Sequence, residues 1–223
     1  PHAHGALEVA RIVKEVHPGV PVIFGGLSSS YFHEELIGYP QVDFVLRGDS
    51  TEPPLHDLLV ALREGAPLDR IPNLTWKDGD SVRVNPHTYL PASLDYVDIR
   101  PDRVIEMMLR HRDFEGPLPF RGWWRNPIAA VFTVKGCSYE CVTCGSSHTT
   151  CTHLTKRQRP VFRSPASLVA NVEAFARLTK GPIALIGDLR MAGPAHATEV
   201  LERLRAARLQ NEIMFELFSA APP

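Results

Sequence analysis

Short apolar runs alternate along this chain with segments of helical period, and that alternation limits the fold more than any other feature. From Ala6 to Val16 apolar residues recur at helical spacing, and His17-Pro18-Gly19 ends the helix. Val20 to Phe24 then reads as a short buried strand closing on Gly25-Gly26, followed by a helix from about Ser29 to Leu36 and a strand from Val42 to Leu46. Thr51 to Leu62 is a further helix, capped by Ser50 or Thr51 with Pro53 and Pro54 in its first turn. Helices alternating with buried strands predict a parallel α/β sheet. Thr75 to Asn85 adds a hairpin turning at Asp78-Gly79, an expected domain edge.

The same pattern resumes later. Pro86 to about Pro127 is rich in Pro, Arg and aromatic residues, with one helix expected over Asp102 to His111, and reads as a linker folded against its neighbours. Ala129 to Val134 is a strand that runs into a cysteine-bearing loop. A helix from Pro165 to Leu178, a strand from Pro182 to Ile186, a helix from Ala197 to Arg208 and a strand from Glu212 to Leu217 follow. This β-loop-α-β-α-β order opens an α/β barrel or an open sheet.

Composition excludes several function classes. The 223 residues are 44% hydrophobic and 22% charged, enough to bury a sizeable core, and the formal charge of -1 supplies no field for nucleic acid or an anionic membrane. No apolar run approaches the roughly 18 to 20 residues of a membrane span, and a cytoplasmic location is expected. The chain begins with Pro1 and stops at Pro223 just after an apolar run, so it reads as a fragment.

Four cysteines are too few for a disulfide scaffold, and all fall between Cys137 and Cys151. Cys137, Cys141 and Cys144 stand in C-x3-C-x2-C spacing, which lets one loop wrap three soft ligands around a face of an iron–sulfur cube. Three ligands leave a fourth iron open for a substrate or cofactor. The competing reading is a zinc site completed by His148, His153 or Cys151, although structural zinc usually takes paired C-x2-C knuckles from two places. Cys151 fits no ligand spacing and reads as a loop thiol, and His148 and His153 read as polar loop residues. Lys156-Arg157-Gln158-Arg159 reads as a solvated loop, with a substrate phosphate as the rarer alternative.

A strand leading through Lys135-Gly136 into these cysteines resembles the radical S-adenosylmethionine (SAM) superfamily over Ala129 to Pro223. The resemblance implies that Cys137, Cys141 and Cys144 ligate a [4Fe–4S] cluster whose open iron chelates SAM. One electron then cleaves SAM to methionine and a 5'-deoxyadenosyl radical. It also implies a small-molecule substrate and an external electron donor such as flavodoxin or ferredoxin. Thr143 departs from the pattern, because an aromatic residue usually precedes the third cysteine near the adenine. Gly187-Asp188, after the strand ending at Ile186, partly matches a motif that holds the SAM amino group; as a bare residue, Asp188 is equally a helix cap. Glu216, alternating with apolar neighbours, either faces a barrel lumen or lies on a solvent-facing edge.

The order of strand, Gly25-Gly26, helix, strand, Gly48-Asp49, helix and hairpin resembles the end of the cobalamin-binding domain that precedes the radical domain in B12-binding radical enzymes. The resemblance implies that Gly25 and Gly26 lie against the cobalamin tail; the alternative is a turn kept for packing. Residues 1–86 are then the C-terminal part of a Rossmann-like cobalamin domain, 87–127 a linker, and 128–223 the first half of a radical SAM partial barrel. His2 and His4 read as ordinary residues. Methyl transfer or rearrangement is the implied chemistry, with the fragment alone inactive. An enzyme that no longer binds cobalamin, or a zinc-stabilised binding module, are the rivals.

Overall fold

A computed structural model describes residues 3–97 and 99–220; His2, Pro1 and Pro223 lie outside them. The chain forms two compact units, Pro1–Pro91 with Tyr139–Arg159, and Ala92–Ser138 with Pro160–Pro223.

In the first unit, α1 (Ala3–Val16), carrying exposed His4, precedes β1 (Ile23–Phe24). The single helix expected from Ser29 to Leu36 is two, α2 (Leu27–Tyr31) and α3 (His33–Ile37), because Phe32 leaves helical geometry at φ -100° and ψ 29°. After β2 (Phe44–Leu46) comes α4 (Glu52–Glu64), with its prolines in the first turn, where their missing N–H groups cost nothing. β3 (Leu74–Asp78) and β4 (Ser81–Val84) make the hairpin. The sheet runs β1-β2-β3-β4, with β1 and β2 parallel and the hairpin antiparallel, so β4 is an edge. Leu46, Leu58 and Leu74 form its core against α4.

The second unit opens at Ala92, within the stretch expected as a linker over 87–127. It holds α5 (Pro101–His111), and Asp95 accepts a 2.8 Å hydrogen bond from the backbone N–H of Ser164. The strand expected from Ala129 to Val134 breaks at buried Thr133 into β5 (Ala129–Phe132) and β6 (Val134–Lys135).

One helix was not anticipated. α6 (His148–Thr155), which belongs to the first unit, carries His148, His153 and Cys151, so none of these is a loop residue. Ser147 caps it by accepting from the Thr150 N–H. Its polar composition hid it, since helical periodicity needs an apolar stripe to show.

β6 pairs antiparallel with β7 (Val161–Phe162). Then α7 (Pro165–Ala176), β8 (Ile183–Ile186), α8 (Pro194–Ala206) and β9 (Ile213–Phe215) complete the second unit. β5, β8 and β9 are parallel neighbours. Val131, Ile183 and Leu185 bury one sheet face against Leu168, Val172 and Val200 of the two helices. Their alternate neighbours, Phe132 among them, lie on the other face. This is the parallel β/α arrangement that the sequence pattern predicts.

Candidate cofactor sites

Parallel strands bring their carboxyl ends to one edge, where loops free of sheet pairing can carry chemistry. In the second unit that edge holds Gly187 and Asp188 after β8 and Glu216 after β9, while Cys137 follows β6, the short strand that succeeds β5. Gly187 has φ +108°, and a Cβ there would stand 2.5 Å from Val134 Cγ1 and 2.7 Å from Thr133 Oγ1. Only glycine fits this close approach. The Gly187 N–H donates to Glu216 Oε2 at 2.7 Å, and Thr133 Oγ1 donates to the Ile186 carbonyl at 3.0 Å. The strand ends are thereby fixed to one another.

Asp188 is 1% exposed and its oxygens are engaged inside the protein. It caps a 3-10 turn through the Arg190 N–H, pairs with the Arg190 guanidinium at 2.6 Å and accepts from the Phe218 N–H at 3.0 Å. The Arg190 hydrogen bond holds its carboxyl down at about 2. Glu216, by contrast, is exposed. Of the two acids, Glu216 is the one open to solvent.

Cys141 and Cys144 lie in the loop that enters α6 and are exposed. A turn holds them, with the Cys144 N–H on the Cys141 carbonyl at 3.1 Å and the Ser147 N–H on the Cys144 carbonyl at 3.2 Å. The Ser146 N–H points at Cys144 Sγ at 3.4 Å, a donor suited to a thiolate. Glu140 accepts from Thr149, which draws its carboxyl below the usual range. Three cysteine sulfurs match the donor chemistry of an iron–sulfur cluster. Among the described residues, however, no three His, Cys, Asp or Glu side chains are already gathered to hold a metal ion. Thr143 is exposed, and Cys151 is buried on α6 with its Sγ toward the Ser146 carbonyl at 3.5 Å.

In the first unit Gly25 and Gly26 are exposed at the carboxyl end of β1. Gly26 has φ +93° and open space where a side chain would be; a Cβ on Gly25 would meet only the Leu46 carbonyl oxygen, at 3.9 Å. The backbone here is bare, and a larger side chain would cover it. Ser30 Oγ donates to the Gly26 carbonyl at 2.9 Å and accepts from the Gly48 N–H at 2.7 Å, joining the ends of β1 and β2.

Sequence reasoning missed two residues here. Arg157, expected in a solvated loop, is buried and forks onto Asp49, with Nε to Oδ2 at 2.7 Å and a terminal nitrogen to Oδ1 at 2.8 Å. His87 Nε2 is buried with no hydrogen-bond partner, and burial, aided by Arg47, pushes the imidazole down to about 4. The position of Asp49 after a strand was a usable signal. Nothing local marks Arg157 or His87.

The fold is that of cobalamin-binding radical SAM enzymes. The radical S-adenosylmethionine methyltransferase TsrM from Kitasatospora setae, with tryptophan and a SAM analogue bound, matches 91% of this chain at TM-score 0.64 and 19% identity. The cobalamin-dependent SAM radical enzyme OxsB, with aqua-cobalamin bound, matches 96% of it at TM-score 0.69 and 15% identity. In sequence, an uncharacterized methyltransferase of Pyrococcus horikoshii is 29% identical over 145 residues, 65% of this chain. The chain spans 36% of the TsrM chain, 28% of the OxsB chain and 29% of the Pyrococcus protein. No family model matches. No helix among the described residues is long and apolar enough to cross a membrane.

Proposed function

We propose that this chain is part of a cobalamin-binding radical SAM enzyme that transfers a methyl group to a small-molecule substrate. Cys137, Cys141 and Cys144 hold a [4Fe–4S] cluster, Gly187 and Glu216 receive the amino end of SAM, and Gly25 and Gly26 face the cobalamin tail. One observation supports the reading: Gly187, Asp188 and Glu216 follow β8 and β9 at the carboxyl-end edge of the β5-β8-β9 sheet, the same edge at which the chain leaves β5 toward Cys137. When bound, the cluster supplies one electron for SAM cleavage and cobalamin carries a methyl group.

The protein's own part is positioning. Glu216 offers a carboxylate to the SAM ammonium, held in place by its bond to the Gly187 N–H. Asp188 acts through Arg190 and Phe218, fixing the segment after β9 that carries Glu216. The ledge at Gly25 and Gly26 excludes side chains and admits a planar group. An external donor such as flavodoxin or ferredoxin supplies the electron.

Anaerobic reconstitution with iron and sulfide tests the cluster. The expected result is about four irons per chain with absorption near ~400 nm, lost in Cys137→Ala, Cys141→Ala or Cys144→Ala and kept in Cys151→Ala. Zinc without iron would replace this reading with a structural zinc module. Titration with hydroxocobalamin, followed by visible absorption, tests the B12 assignment separately, and an unchanged spectrum would refute it.

A further inference from the structure

We infer that the Asp49–Arg157 ion pair is the positioning device for the cysteine loop, setting where Cys141 and Cys144 stand. The inference rests on the cluster reading above. Arg157 is 4% exposed and Asp49 14%, and a terminal guanidinium nitrogen also reaches Ser50 Oγ at 3.4 Å. A buried ion pair survives only where its geometry and hydrogen bonding are good, and losing one partner strands the other charge. The planar guanidinium matches the two carboxylate oxygens as a lysine cannot.

From this anchor an unbroken path of short-range bonds leads to the thiols. The Arg157 N–H donates to the Cys151 carbonyl at 3.3 Å and Thr152 Oγ1 donates to the Arg157 carbonyl at 3.3 Å, which locks Arg157 onto the last turn of α6. At the other end of α6, the Ser147 N–H donates to the Cys144 carbonyl, and the Cys144 N–H to that of Cys141. Eight helical residues therefore separate the anchor from the ligand loop.

Little apolar surface is buried in the loop itself. Val142, between the two thiols, is 101% exposed, and the residues α6 buries are Cys151 and Thr155. On its far side Asp49 follows Gly48, which Ser30 ties to the Gly26 carbonyl. The same residues thus brace the glycine ledge and the cysteine loop within one unit.

The test compares the chain with its Arg157→Ala, Arg157→Lys and Asp49→Asn variants in two measurements. Without metal, amide hydrogen exchange should speed at least tenfold across α6 in Arg157→Ala and Asp49→Asn, while β2 and β3 stay protected; unchanged exchange in α6 overturns the inference. After reconstitution, the same variants should lose iron to a chelator at least tenfold faster and show a changed electron paramagnetic resonance signal, with Arg157→Lys intermediate. Wild-type retention and signal in Arg157→Ala also overturn it. If the unaltered chain takes up no iron, the cluster reading falls instead, and the exchange measurement still decides whether the ion pair orders α6.

Discussion

The backbone N–H of Gly187 donates to Glu216 Oε2 at 2.7 Å, so the first residue after β8 and the first after β9 are bound together at the carboxyl edge of a parallel sheet. Replacing Glu216 by Gln keeps the size and an acceptor oxygen but removes the charge an ammonium group would meet. SAM affinity of the reconstituted chain, measured by calorimetry, should fall about tenfold, equivalent to ~1.4 kcal/mol. The melting temperature should stay unchanged. Undiminished affinity would remove Glu216 from the SAM site.

Gly187→Ala should destabilise the second unit. The new Cβ must adopt φ +108° and meets Val134 and Thr133 well inside contact distance. Strain of both kinds costs about 2 to 3 kcal/mol, to be read as a lower midpoint in urea unfolding.

Asp188 sets an acid limit. Its folded carboxyl titrates at about 2 against 3.8 when unpaired, so the folded state binds fewer protons in that window. The stabilisation is fully present above 3.8 and is lost as pH falls toward 2; it amounts to roughly 2 kcal/mol. Asp188→Asn should flatten the stability profile between those values and lower stability at neutral pH.

His87 acts at milder pH. Its folded imidazole resists protonation down to about 4, whereas the unfolded side chain takes a proton near 6.5. Stability of the first unit should therefore decline as pH drops from 6.5 to 4, by about 2 kcal/mol after allowance for partial exposure. His87→Gln should reduce this slope, measured by urea unfolding at a series of pH values, and His33, whose imidazole burial also pushes down, supplies the remainder.

Gly25→Val separates ligand contact from folding. The new Cβ meets only the Leu46 carbonyl oxygen at an ordinary 3.9 Å, and the backbone is not in the left-handed region, so thermal stability should hold. The larger side chain covers the ledge. Hydroxocobalamin affinity should drop at least about tenfold, ~1.4 kcal/mol, and equal affinity would place the cobalamin tail elsewhere.

The Asp78-Gly79 hairpin, the Pro-started helix after Ser164 and the parallel order of β5, β8 and β9 were legible because each is written in residues close along the chain. Turn chemistry, caps and periodicity are local properties. The thiol spacing is local in the same way, as is the glycine pair after β1. Two elements escaped this logic. α6 has too few apolar residues to show a stripe, and the break at Phe32 divides what reads as one helix.

The amino-acid sequence alone determined the alternation of strands and helices, the loops that follow the parallel strands, and the C-x3-C-x2-C spacing of three thiols. Only the tertiary structure decided how the charged residues in those loops are used. Arg157 looks solvated within Lys156-Arg157-Gln158-Arg159 until Asp49, 108 positions earlier, is folded against it. Asp188 looks available until Arg190 and the Phe218 N–H occupy its oxygens, leaving the exposed acid to be Glu216. The physical reason is common to both: periodicity records which face of an element is apolar, whereas the burial of a charge depends on a partner brought close only when the chain closes on itself.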